Sequence, residues 1–173
     1  FTARLTNIGK RHPVTRGLEG SASEPPHWSR FFRLVDTRNP INPPIMEGAD
    51  GKPLLLLSRQ GEGRVALLLS DHIWLWARGY EGGGPHLDLL RRLSHWLMKE
   101  PELEEERLVM TARGSEIVVE RRTMNETAEP VTVTRPSGGT QTLNLTRAEP
   151  GIFHASIKAE ELGLWRATDG KLT

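Results

Sequence analysis

The apolar residues in the first half of the chain fall into two kinds of run. Pro53 to Ser58 and Arg64 to Ser70 are short segments dense in leucine and valine, separated by Gln60-Gly-Glu-Gly63. Segments of that length around glycines that tolerate positive φ predict two β-strands joined as a hairpin. Both runs are nearly continuous rather than alternating, which predicts a sheet covered on both faces. After Pro85, Leu87, Leu90, Leu93 and Leu97 recur at helical spacing, with Leu89 and Trp96 beside them. This predicts an amphipathic helix from His86 to Lys99, with Asp88, Arg91, Arg92 and Lys99 facing elsewhere. Pro101 and the acidic residues Glu102, Glu104, Glu105 and Glu106 end it as a solvated connector. The pattern up to this point is that of an α/β domain.

Beyond Arg107 the runs shorten. Leu108 to Ala112, Ile117-Val-Val-Glu120, Val131-Thr-Val-Thr134, Thr142-Leu-Asn-Leu145, Ile152 to Ile157 and Leu164-Trp-Arg-Ala167 read as about six strands. Turns such as Pro136-Ser-Gly-Gly139 and Glu149-Pro-Gly151 separate them, a spacing that suits an all-β sandwich. A seven-strand sandwich would then lack its last strand and expose an edge, which is a template for self-association or for pairing with another protein. In the first 50 residues, Pro25, Pro26, Pro40, Pro43 and Pro44 predict loops and short extended pieces, with a turn around Arg11-His-Pro-Val-Thr-Arg-Gly-Leu18.

Composition narrows the classes of function. With 173 residues, 36% hydrophobic and 26% charged, the chain has the balance of a soluble globular protein of one domain or two small ones. A net charge of +1 gives no sign of a polyanionic partner, so no nucleic acid is expected. No apolar run reaches the length of a membrane-spanning helix. The start at Phe1, without methionine or a signal-peptide pattern, is expected of an excerpt from a longer polypeptide, although N-terminal processing leaves the same start. The absence of cysteine excludes disulfides, thiolate metal sites and a cysteine nucleophile within these residues.

The densest chemistry lies between Ser70 and His86. Asp71 and His72 follow a strand, where catalytic groups gather in open α/β sheets, so His72 is a candidate general base with Asp71 or Glu81 as its orienter. The alternative is that Asp71 caps the next segment and His72 is a rim residue. Trp74, Trp76 and Tyr80, with Gly82, Gly83, Gly84 and His86, are candidate binding residues, the glycines letting a ligand come close. Alternatively, the indoles cover a core edge and the glycines are a connector. The six histidines show neither HExxH nor a CxxC pair, so no metal site is expected, and no cofactor is implied. Ser70 lies outside any GxSxG elbow, and no phosphate loop is present. Asn125-Glu-Thr and Asn144-Leu-Thr match glycosylation acceptors, a short pattern that arises often by chance.

Three stretches together resemble a known family: His12-Pro-Val-Thr-Arg-Gly-Leu18, Gly61-Glu-Gly-Arg-Val-Ala-Leu-Leu-Leu-Ser-Asp-His72, and the helix carrying His95-Trp-Leu97. They are similar to the C-terminal part of class I glutamine amidotransferase-like domains. The resemblance is closest to a branch found in large bacterial membrane proteins beside von Willebrand A-type regions, and looser to the trehalose-utilisation branch. Pro136-Ser-Gly-Gly, Pro150-Gly-Ile-Phe and Gly163-Leu-Trp-Arg-Ala-Thr-Asp-Gly170 resemble an immunoglobulin-like module. The resemblance implies an incomplete flavodoxin-like α/β domain over residues 1–103 and an immunoglobulin-like sandwich over 107–173. A working family member uses a cysteine on a strand-to-helix elbow, with a later His and Glu, to release ammonia from glutamine. His72 falls near that later histidine, but Ile73 and Trp74 follow it where the family has Pro and Glu, and there is no cysteine. Two expectations follow. One is a non-catalytic binding or assembly module on the periplasmic side of a bacterial envelope protein, contacting a protein partner or the rest of its own polypeptide. The other is a glutamine-hydrolysing or related hydrolase whose nucleophile lies outside these residues.

Overall fold

A computed structural model describes residues 1–38, 40 and 42–173. The chain divides into two units, Phe1–Glu104 and Glu105–Thr173.

In the first unit, β1 (Arg4–Leu5), β2 (Met46–Glu47), β3 (Pro53–Gln60) and β4 (Gly63–Leu68) form a four-stranded antiparallel sheet in that order. The two leucine-rich runs pair directly, Leu55 opposite Leu68 through to Gln60 opposite Gly63. Gly61, at φ 56°, supplies the left-handed turn residue between them. The near-continuous apolar pattern does not mean that both faces are covered. Along β4, Arg64, Ala66 and Leu68 turn towards the core while Val65 and Leu67 remain 49% and 47% exposed.

Two α-helices follow: the single turn α1 (Trp74–Ala77) and the longer α2 (His86–Leu97). The leucine spacing located α2, but the buried stripe is rotated from the predicted one. Leu89 and Trp96 are buried with Leu93 partly so, whereas Leu87 is 79% exposed. The core gathers Val14, Leu18, Trp28, Phe31, Leu54, Leu55, Trp76, Leu89 and Trp96. Burial of such side chains supplies about 1.5–3 kcal/mol each. Arg64 ties β4 to the end of α2. Its guanidinium lies 5.0 Å from the Trp96 ring centroid, donates to the Trp96 carbonyl at 2.7 Å and pairs with Glu104.

These features correct the expected α/β class. Among the described residues every strand pair is antiparallel, and α2 is the one helix of more than a single α-turn. A flavodoxin-like sheet needs parallel strands joined by crossover helices. Here the leucine runs pair with each other through a tight hairpin, so the local turn decides the topology.

The second unit is all-β, compatible with the expected texture of that half. One sheet orders β5 (Arg107–Arg113), β6 (Glu116–Arg122), β10 (Ile152–Lys158) and β9 (Thr146–Glu149). The other orders β11 (Arg166–Thr168), β7 (Val131–Thr134) and β8 (Thr140–Leu143). Alternating residues of both sheets, including Ile117, Val119, Val131, Val133 and Ile157, meet in one core. β9 lies outside the predicted set because all four of its residues are exposed and show no apolar alternation.

Candidate functional site

Beyond β4 the chain continues through Leu69, whose N–H donates to the Leu54 carbonyl at 2.8 Å, into Ser70 and Asp71. The segment Phe31–Val35 lies alongside. Val35 N–H donates to Leu69 O at 2.8 Å, and the Ser70 hydroxyl donates to Arg33 O at 2.7 Å while accepting from His72 N–H at 3.2 Å. These contacts bring His72 against Phe32. The Phe32 N–H donates to His72 Nδ1 at 3.1 Å, and the two rings meet edge-on with centroids 6.2 Å apart. An Nδ1 that accepts a hydrogen bond places the proton of the neutral ring on Nε2. Asp71 Oδ1 lies 3.8 Å from that Nε2, too far for a hydrogen bond, and Asp71 Oδ2 instead accepts from Arg33 at 3.1 Å.

Glu81, the second candidate orienter, is held by Arg30. One Arg30 nitrogen donates to Oε2 at 2.9 Å and another pairs with Oε1, while the Tyr80 hydroxyl reaches Oε1 at 3.3 Å. The hydrogen bond from Arg30 lowers the Glu81 carboxyl from its ordinary value to about 2, against the opposing effect of desolvation. Glu81 at neutral pH is thus an anion bound to a guanidinium. The structure brings Asp71 near His72 without a hydrogen bond to it, and it gives Glu81 a different partner.

The aromatic candidates separate into core and surface. Trp76 is buried between Trp28 and Phe31, at centroid distances of 5.2 and 5.0 Å, and its indole N–H donates to Ser29 O at 3.1 Å. Trp74 is 53% exposed, Tyr80 also faces solvent, and Phe32 is 61% exposed with its ring 5.8 Å from that of Tyr80. The glycines serve the core. A Cβ on Gly84 would meet three atoms of the Trp76 ring at 2.5–2.8 Å, and one on Gly83 would meet Trp76 O at 2.8 Å. Gly82, at φ 92°, has open space around its α-carbon and supplies the turn. His86, the first residue of α2, lines a separate open cavity of about 470 Å³ with Glu19, Gly84, Leu87 and Arg91.

Three groups outside the predicted set matter to this rim or to the fold. Phe32, Arg30 and Arg33 complete the surface, and their signal in the sequence was Arg30-Phe-Phe-Arg33, two arginines flanking two aromatics. His12 is buried, accepts from Val14 N–H at 3.2 Å and meets the Trp96 ring at 5.9 Å, so the His12–Leu18 motif packs into the core. In the second unit, Arg121 is buried between Asp169, at 2.7 Å, and Glu106, at 2.6 Å.

Chemically, the rim offers an Nε2–H donor, exposed aromatic faces and two arginines paired with carboxylates. Among the described residues no group of three His, Cys, Asp or Glu side chains is placed to hold a metal ion. Among the same residues no helix is long and apolar enough to cross a membrane. The expected class I amidotransferase domain is not supported by these antiparallel sheets, and Glu81, one of the two candidate orienters of His72, pairs with Arg30. Compared with protein-family models, with curated proteins and with solved structures, the chain matches none of them.

Proposed function

We propose that this chain is a non-catalytic binding or assembly module that contacts a protein partner, or another part of its own polypeptide, through the rim of Phe32, His72, Trp74 and Tyr80 with Arg30 and Arg33. The observation that carries this reading is the state of the acid–base candidates. The lone pair a general base would need is occupied by the Phe32 N–H, and Glu81 is bound by Arg30. What stays available is large aromatic surface next to arginine, the residue types over-represented among interface residues that dominate binding energy. The amidotransferase part of the expectation is not carried forward, because it depended on a parallel-sheet fold. The glutamine-hydrolysing alternative rested on the same resemblance and is not carried forward either.

A photo-reactive residue placed at Phe32 or at Trp74 tests the reading in cells that express the full chain. Both positions are expected to capture the same protein, and an exposed position in the second unit, Thr142, is expected not to. A Phe32→Ala plus Arg33→Ala variant, with the probe at Trp74, should lose the capture while keeping its far-UV spectrum. Equal capture at all three positions, or capture unaffected by the double substitution, would refute the rim as the contact surface.

A further inference from the structure

Most sheet edges in this chain are blunted. β1 has two residues and β11 three, β5 carries an arginine at each end, and β9 is short, bears Arg147 and Glu149 and meets β10 through a register shift. Such features keep edges from pairing with other chains. β4 lacks them. It is a terminal strand of six residues in regular register with β3, it holds no proline, and its one charge, on Arg64, is drawn inward to Glu104 and the Trp96 carbonyl.

The hydrogen-bond phase of that edge follows from the hairpin. In a two-residue loop the flanking pair, here Gln60 and Gly63, exchanges both backbone bonds, and the pattern alternates along the ladder. The bond from Leu69 N–H to Leu54 O obeys the same phase. The N–H and C=O groups of Arg64, Ala66 and Leu68 therefore point away from β3. Among the described residues no backbone bond to them from outside the hairpin is found. On the solvent face of the same strand stand Val65 and Leu67, opening onto a cavity of about 300 Å³ floored by Leu56.

We propose that β4 pairs with β4 of a second copy of this chain, antiparallel, with Ala66 on the two-fold axis. Registers are restricted by the pleat, since a one-residue slip would turn Val65 and Leu67 to the wrong face. Of the remaining registers, the one centred on Ala66 sets Arg64 opposite Leu68 of the second copy, Ala66 opposite Ala66 and Leu68 opposite Arg64. It alone engages every outward group of the three residues on both strands. It also sets Val65 against Leu67 on the exposed face, an aliphatic cross-strand pair formed twice, with no like charges opposed. This surface is distinct from the aromatic rim, so either proposal can fail without the other.

The chain contains no cysteine, so introduced thiols report the register directly. Val65 and Leu67 of the two copies would form a non-hydrogen-bonded pair with α-carbons about 4.5 Å apart, which is within disulfide reach. Under mild oxidation, Val65→Cys mixed with Leu67→Cys is expected to give a disulfide-linked heterodimer, while neither variant links to itself. In a sedimentation series the unmodified chain is expected to shift from monomer to dimer with concentration. Leu67→Lys is expected to abolish that shift without changing the far-UV spectrum, because the side chain is half-exposed. Self-linkage of either cysteine variant, a dimer that survives Leu67→Lys, or a chain that stays monomeric even while a different protein cross-links to Leu67→Cys would each overturn the proposal.

Discussion

Gly84→Ala separates a glycine kept for packing from one kept for a ligand. The added methyl would sit 2.5 Å from one Trp76 ring atom, roughly 1 Å inside ordinary van der Waals contact. The φ of Gly84 is not in the left-handed region, so the cost is steric rather than conformational. Trp76 has no room to retreat, since Phe31 and Trp28 pack on it and Ser29 O holds its indole N–H. Overpacking of a constrained core costs about 1–3 kcal/mol, and Gly84→Ala is expected to destabilise by that amount. Urea unfolding followed by tryptophan fluorescence suits the measurement, because four of the five tryptophans lie in the first unit. Shrinking the ring should relieve the clash, so Trp76→Phe combined with Gly84→Ala should lose less than the two single changes together. A Gly84→Ala variant within about 0.5 kcal/mol of the parent would refute the packing account and return the glycine to a binding role.

Three further outcomes are expected. Arg121→Ala should destabilise the second unit by about 3–5 kcal/mol, because it strands buried Asp169 and half-exposed Glu106 without their cation; burial disfavours the Asp169 anion, but the Leu172 and Lys171 N–H groups and Arg121 outweigh it and hold the carboxyl below its ordinary value. Denaturation showing no loss would contradict that network. Leu89→Ala should cost about 2–5 kcal/mol and Leu87→Ala under about 0.5; the reverse order by chemical denaturation would restore the leucine stripe read from the sequence. The Glu81 carboxyl should titrate near 2 by carbon-detected NMR and rise towards 4.5 in Arg30→Ala. Because its folded value is depressed, the Arg30–Glu81 link is present above pH 4.5 and is lost as pH falls towards 2. A midpoint near 4.5 in the parent chain would show the pair to be open.

The elements legible in the sequence were those set by local chemistry. The hairpin announced itself through Gly61 and Gly63 between leucine runs, and the helix after Pro85 through its spacing. Its buried face was not legible, because Leu87, Leu90, Leu93 and Leu97 match a helical stripe as well as Leu89, Leu93 and Trp96 do, and only the position of the sheet chooses between them. The fold class was misread for a similar reason. Continuous leucines suit a sheet covered on both faces, yet they also suit a hairpin with one face left open at Val65 and Leu67. The rim was half legible. His72, Trp74 and Tyr80 stood out in sequence, but Phe32, the residue that fixes the His72 tautomer, lies 40 positions earlier. No local pattern links the two.

The most direct measurement of the central claim is the tautomer of His72 by two-dimensional nitrogen NMR of the intact chain. The neutral ring is expected to carry its proton on Nε2, with Nδ1 accepting from Phe32 N–H and its lone pair withheld from acid–base work. A neutral ring protonated on Nδ1, leaving a free basic Nε2 at the surface, would contradict the binding-module reading and return His72 to the candidates for a general base.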